Sequence, residues 1–220
     1  MFSEFITFLR DPKSCTYIGY KPKQLCLSAV TYFLITFGVT ILISILCFVI
    51  SSIAGLEKPI KTVEEIAPLW IVAGIAPILE ELACRLSLVR KPGYLFISLC
   101  CITFCILSIF VFHRFYTLST LLIRIEIAIV VGVFLWWLVR KYLMNCNLNY
   151  YIYGWAILFG LMHITRLQYN QFQTAQIIIM SLYLFSKVIM GLALSYVRLK
   201  HGFVPSVLLH ILQNLIAFIH

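Results

Sequence analysis

The chain reads as an all-α, polytopic membrane helix bundle with about seven transmembrane helices, and three observations predict it. Apolar residues make up 62% of the sequence and charged residues only 11%, with a mean hydropathy of +1.01, which is outside the range of soluble domains. The apolar residues fall into seven runs near the length that crosses a bilayer. Basic residues collect in alternate connections between those runs, as cytoplasmic loops require.

The first element is residues 1–24, a cytoplasmic N-terminal tail. Its Phe2, Phe5, Ile6 and Leu9 recur at helical spacing before Asp11-Pro12. That pattern fits a short interfacial helix, and a disordered tail is the other outcome. Residues 25–220 form one transmembrane domain, with spans near 25–53, 67–89, 94–112, 117–139, 150–166, 174–196 and 203–219. Their connections are short. Lys-Pro-Gly at 91–93 and Lys-His-Gly at 200–202 punctuate two of them.

Orientation follows from charge. Arg10, Lys13, Lys21, Lys23, Arg90, Lys91, Arg140, Lys141, Arg198 and Lys200 fall on one side. Lys58, Lys61, Arg114 and Arg166 fall on the other, diluted by Glu57, Glu64 and Glu65. The N terminus is therefore expected in the cytoplasm and, after seven spans, the C terminus outside. The same loops account for the net charge of +9, so no nucleic-acid partner is needed; the lipid bilayer is the expected environment. No cleavable signal is expected, because the run from Leu25 is too long for a signal core. Cys47, Cys84, Cys100, Cys101 and Cys105 lie inside apolar runs and read as small reduced hydrophobes.

Against this background the polar residues inside spans stand out. Glu80 and Glu81 are adjacent in APILEELACRLSLV, with Arg85 following. Ionisable groups at membrane depth are costly and usually mark a site. Residues four apart share a helix face, so Glu81 and Arg85 form an ion pair and Glu80, rotated by about 100°, points elsewhere. Phe159 and His163 are four apart, as are His210 and Asn214. At about 1.5 Å per residue, Glu80 lies about 15 Å from Arg90, and His210 about 10 Å from Phe203, so the three segments reach compatible depths.

Two acids, two histidines, an arginine and an amide suit water activation and attack on a carbonyl. A carboxylate and a neutral imidazole can share the proton of a water, and a second imidazole with an amide can donate to the developing oxyanion. The only aspartate is Asp11 in the tail, so an aspartyl dyad is impossible, and no His-Glu-x-x-His helix occurs. Neither Ser87 nor Cys84 sits in a nucleophile turn. Taken singly, each motif also has a structural reading: the Glu–Arg pair as a packed pair, His163 as a core histidine, and His210 with Asn214 as a bridge between helices. Arg124, Glu126 and Lys187 read as structural.

The ordered set Glu80-Glu81-x-x-x-Arg85, Phe159-x-x-x-His163 and His210-x-x-x-Asn214 resembles the CPBP family, the Abi or CAAX prenyl protease 2-like intramembrane proteases, over about residues 67–220. The run Gly191 to Gly202 before Val204-Pro205 is similar to the family's approach to its third motif. Cys84 and Leu86 depart from the Phe and the Arg-Gly common in its first. The resemblance implies a membrane endopeptidase in which Glu80 and His163 act on water, His210 and Asn214 stabilise the oxyanion, and Glu81, Arg85 and Phe159 support them. It implies a peptide or protein-tail substrate. The family has been described as metalloprotease-like, so zinc held by Glu80, His163 and His210 is open beside metal-free glutamate catalysis. Short loops and the lack of accessory domains fit a bacterial cytoplasmic membrane, with bacteriocin or pheromone processing or self-immunity as the role by analogy. The rival is a non-catalytic immunity or regulatory membrane protein that binds a peptide or a sensor kinase.

Overall fold

In the computed structural model the described residues are 2–56, 68–112, 118–166 and 174–219. They are predominantly helical, with no strand among them. The helices are α1 (Phe2–Arg10), α2 (Pro22–Ala54), α3 (Ala76–Cys84), α4 (Pro92–Ile106), α5 (Leu121–Asn145), α6 (Leu148–Met162), α7 (Thr174–His201) and α8 (Phe203–Ile219). A π-helical turn, Trp70–Ile75, leads into α3, and another, Leu107–Val111, extends α4.

Among the described residues, four helices are long and apolar enough to cross a membrane: α2, α4 with its π turn, α5 and α7. Of the other three apolar segments, α8 spans 203–219 as its run suggests, whereas the helices of the remaining two are shorter than their runs. α6 has 15 residues, about 22 Å against a hydrocarbon core of about 30 Å. α3 stops at Cys84, and the chain leaves helical geometry at Arg85 (φ −120°, ψ −20°). Both short helices end at residues singled out for chemistry.

α7 is the centre of the bundle. Every residue from Met190 to Arg198 is buried, and α2, α6 and α8 pack around it. α2 and α5 lie at the periphery, where Leu34, Phe48, Ile53, Leu122, Val130 and Trp137 are exposed. An outward face this apolar suits lipid and would be a liability in water.

The basic connections meet at one end. An Arg90 guanidinium N–H donates to the Cys146 carbonyl at 2.7 Å, and the Lys13 amide donates to Asn149 Oδ1 at 2.9 Å. Lys200 reaches Glu4 at 2.8 Å. At the same end Ser28 of α2 bonds His201 of α7, Oγ to Nε2 2.7 Å. Residues 2–10 form a helix docked on the bundle: Phe5 and Phe8 are buried against the Tyr196 ring, at centroid distances of 5.5 and 5.4 Å. The charges expected on the opposite side, Glu57, Lys58, Lys61, Glu64, Glu65 and Arg114, lie outside the described residues, as does the Arg166 side chain.

Gly202 makes the turn that orients α8. Its φ of +109° is costly for a side-chain-bearing residue, and it reverses the chain between α7 and α8 within one residue.

Candidate active site

α3 brings its acids inward because a proline disturbs its start. In the π turn the Ala76 amide bonds the Ile71 carbonyl, five residues back. The next donor in that register would be Pro77, aimed at Val72, and proline has no N–H. The Val72 carbonyl is instead taken by Asn214 of α8, whose Nδ2 donates to it at 2.8 Å. A side-chain donor from a neighbouring helix is how an apolar bundle satisfies a freed carbonyl. Asn214 thus pins α8 to α3 beside the two glutamates.

At the other end of α3 the exposed carbonyls are also taken by side chains. Arg198 Nε donates to the Arg85 carbonyl at 3.2 Å, and the Tyr151 hydroxyl donates to that of Ser87 at 3.2 Å. This replaces the helical partners that the break at Arg85 removes.

Glu81 is fully buried among polar and charged partners. Arg85 Nη1 stands 3.3 Å from Oε1. His210 Nδ1 lies 3.0 Å from the same oxygen. The Ser206 hydroxyl lies 2.5 Å from Oε2 and 3.2 Å from the Leu194 carbonyl. The ion pair inferred from the i, i+4 spacing is present, and His210 and Ser206 of α8 join it. Without them, a buried carboxylate and guanidinium would be costly to desolvate.

Glu80 has a different fate. Its side chain keeps 20% of its accessible surface, and its Oε2 is 3.5 Å from His210 Nε2. Both ring nitrogens of His210 therefore face carboxylate oxygens, so whichever carries the proton donates toward an acid. Glu81 fixes the ring, and Glu80 sits beside it on the more open side.

Phe159 is the hub between α3, α6 and α8. The Arg85 guanidinium lies over its ring, 3.8 Å from the centroid, a contact worth about 2 kcal/mol when desolvated. His163 and His210 meet the same ring edge-on, with centroids at 4.8 and 5.7 Å. Gly191 of α7 allows this, because a Cβ there would stand 3.1 Å from a Phe159 ring carbon and 3.2 Å from the Ala156 carbonyl. His163 opens the 3-10 turn that ends α6, and its Nδ1 is 2.9 Å from the Phe159 carbonyl. A carbonyl only accepts, so in a neutral ring Nδ1 carries the proton and Nε2 the lone pair.

The structure thus gathers Arg85, His163 and His210 around the Phe159 ring, and Glu80 and Glu81 around His210. Asn214 sits one turn further along α8. It lines a small cavity of about 70 Å³ together with Thr40, Val72, Lys187 and Gln213, and Gln213 accepts a hydrogen bond from the buried Tyr32 hydroxyl. Among the described residues no three His, Cys, Asp or Glu side chains stand close enough to hold a metal ion. His210 turns one nitrogen to each glutamate, and His163 turns Nδ1 to a backbone carbonyl.

Ser206 and the Pro77–Val72–Asn214 connection escape a reading confined to charged residues. Ser206, His210 and Asn214 are each four apart, and that spacing is the signal that would have found the serine. Compared with models of known protein families, with curated proteins and with solved structures, the chain matches none.

Proposed function

We propose that this chain is a multi-pass intramembrane endopeptidase of the CPBP type, hydrolysing peptide bonds in membrane-associated peptides or protein tails. The observation that carries the reading is the division of labour between adjacent glutamates. Glu81 is buried and held by Arg85, His210 and Ser206; Glu80 is part-exposed and next to an imidazole. A general base needs access to water together with a fixed neighbour, and only Glu80 has both.

In this reading Glu80 takes a proton from water while the Nε2 lone pair of His163 shares it. The hydroxide adds to the scissile carbonyl carbon. The oxyanion is met by an N–H of His210 and by the second amide N–H of Asn214, and the proton passes to the leaving amine. Arg85 and Phe159 hold the geometry. No step passes through a metal.

The meeting of Arg90, Lys200, Lys13 and the α5–α6 connection at one end supports a cytoplasmic N terminus and an external C terminus. A reporter fused after His220 should be active outside only; cytoplasmic activity would contradict seven crossings. A bacterial cytoplasmic membrane, with peptide processing or self-immunity as the role, remains the analogy of the resemblance.

The test of catalysis is Glu80→Gln in purified, reconstituted protein with co-reconstituted membrane proteins, scored as new peptide termini by mass spectrometry. Loss of the termini in a folded variant supports the proposal; unchanged termini refute it. One observation favours a non-catalytic binding protein instead: His210 is flanked by two carboxylates, and Asn214 is bonded to Val72, as in a purely structural network. That reading predicts no new termini from the wild type.

A further inference from the structure

α5 is tied to the bundle along one narrow strip. It packs on α4 and on the turn that extends α4, and its buried residues are Arg124, Ala128 and Gly132, each four apart. Gly132 sets the close approach, since a Cβ there would stand 2.4 Å from the Cys100 sulfur. Arg124 and Ala128 line an apolar crevice of about 450 Å³ between α4, α5 and the π turn before α3. The Arg124 guanidinium is engaged inside the fold, on the Ser108 hydroxyl at 3.0 Å and the Thr120 carbonyl at 3.4 Å.

Glu126 stands on the opposite side of the helix. At about 100° per residue it is rotated about 160° from both Arg124 and Ala128, and it is exposed. It is the single polar residue among the exposed positions from Leu122 to Leu138; the others, Ile123, Val130 and Trp137 among them, are apolar. Toward its C-terminal end α5 carries Arg140 and Lys141 beside Trp136 and Trp137, the cations and amphipathic rings of a membrane interface. Helical rise puts Glu126 about 16 Å from Trp137, close to the middle of a hydrocarbon core about 30 Å thick. Among the described residues, none bonds or pairs with Glu126.

We propose that the outer face of α5 docks a membrane-crossing helix of another protein, one that carries a lysine or arginine at mid-membrane to pair with Glu126. Ionisable side chains at this depth are costly and are kept where they find a partner. Low dielectric strengthens the attraction of opposite charges. Apolar packing between helices gains little over packing against lipid tails, so the charge pair sets where along α5 the partner lies. A second copy of this chain fits less well. The exposed lysines and arginines of its described residues lie at helix ends and in connections, as Lys23, Lys91 and Arg140 do, so a symmetric pair would bring Glu126 a second carboxyl and no cation. The docking surface stands whether or not the chain is a peptidase.

The test is energy transfer, in phosphatidylcholine vesicles, between the full chain with a donor dye at its N terminus and a synthetic leucine–alanine helix of about 22 residues. The helix carries an acceptor dye and one central lysine; control helices have leucine or glutamate in its place. The wild type should bind the lysine helix about tenfold more tightly than the leucine helix. Glu126→Leu should erase that preference, and Glu126→Lys should transfer it to the glutamate helix. Both substitutions change an exposed side chain and leave the buried strip of α5 intact. In the wild type alone, dicyclohexylcarbodiimide, a lipid-soluble carboxyl reagent, should modify Glu126, and the lysine helix should protect it. Equal binding of the lysine and leucine helices by the wild type, no reversal in Glu126→Lys, or a Glu126 that the carbodiimide does not reach would each overturn the proposal. Energy transfer between two copies of the chain that Glu126→Leu abolishes would overturn it in favour of a dimer.

Discussion

Two regions of this bundle each bury an arginine against a phenylalanine ring, and they differ in what else they assemble. In the α3–α8 seam, Arg85 stacks on Phe159 at 3.8 Å and pairs with Glu81 at 3.3 Å, inside a network that includes His210 and Ser206. In the α4–α5 crevice, Arg124 stands 5.3 Å from Phe104, bonds a serine hydroxyl and a threonine carbonyl, and lines an apolar slot. The seam is polar and filled by its own side chains; the crevice is apolar and leaves room. The surroundings of a buried charge in a membrane protein thus decide what satisfies it.

The largest effect should come from breaking the seam. Arg85→Ala strands the Glu81 carboxylate and should cost about 3–5 kcal/mol, seen as lost monodisperse yield and a lowered unfolding temperature in detergent. Normal yield for this variant would show that Ser206 and His210 suffice to hold Glu81.

A smaller, sharper effect is expected at Asn214. Asn214→Ala leaves the Val72 carbonyl unbonded, at about 1–3 kcal/mol. Pro77→Ala restores a backbone N–H that can serve this carbonyl, so the cost of Asn214→Ala should shrink in the Pro77→Ala background. Additive losses in that double-mutant cycle would mean that the proline does not create the need for the asparagine.

In the crevice, Arg124→Gln keeps an N–H donor for Ser108. It should lower the unfolding temperature by less than Arg85→Ala does, measured side by side. Equal losses would erase the contrast between the two regions.

The smallest effect lies outside both. The Lys200 ammonium donates to Glu4 and, with its charge, holds that carboxyl below its ordinary 4.5. A lowered carboxyl stabilises the docked α1 above that value and loses the contribution as pH falls through the folded value. Glu4 is more than half exposed, so the contribution is at most about 1 kcal/mol. Protection of α1 amides relative to their intrinsic exchange rates should fall below about pH 4 in the wild type and show no such fall in Glu4→Gln. Identical profiles would remove Glu4 from the docking of α1.

Much of this was legible in the sequence, for definite reasons. Helical character followed from apolar runs, and the Glu81–Arg85 pair and Phe159–His163 contact followed from four-residue spacing, which fixes a shared face. Helix lengths were less legible, because hydropathy does not register the break at Arg85 or the end of α6 at Met162. Helix rotation was not legible at all. Nothing local indicates that His210 turns to the glutamates while Asn214, on the same face, turns to Val72. That result depends on Pro77 removing a backbone donor less than one helical turn before Glu80. The α4–α5 crevice was equally hidden, since it arises from the contact of Gly132 with Cys100, residues far apart in the chain.

The central claim is that Glu80 does chemistry and Glu81 holds structure. Its most direct measurement is proteolysis by wild type and Glu80→Gln in the same reconstituted vesicles, with folding monitored by unfolding temperature. The account predicts new peptide termini from the wild type, a drop of about 10²–10⁴-fold for Glu80→Gln, and an unfolding temperature near that of the wild type. Full proteolysis by Glu80→Gln, or no proteolysis by well-folded wild type across the membrane proteins supplied, would contradict it.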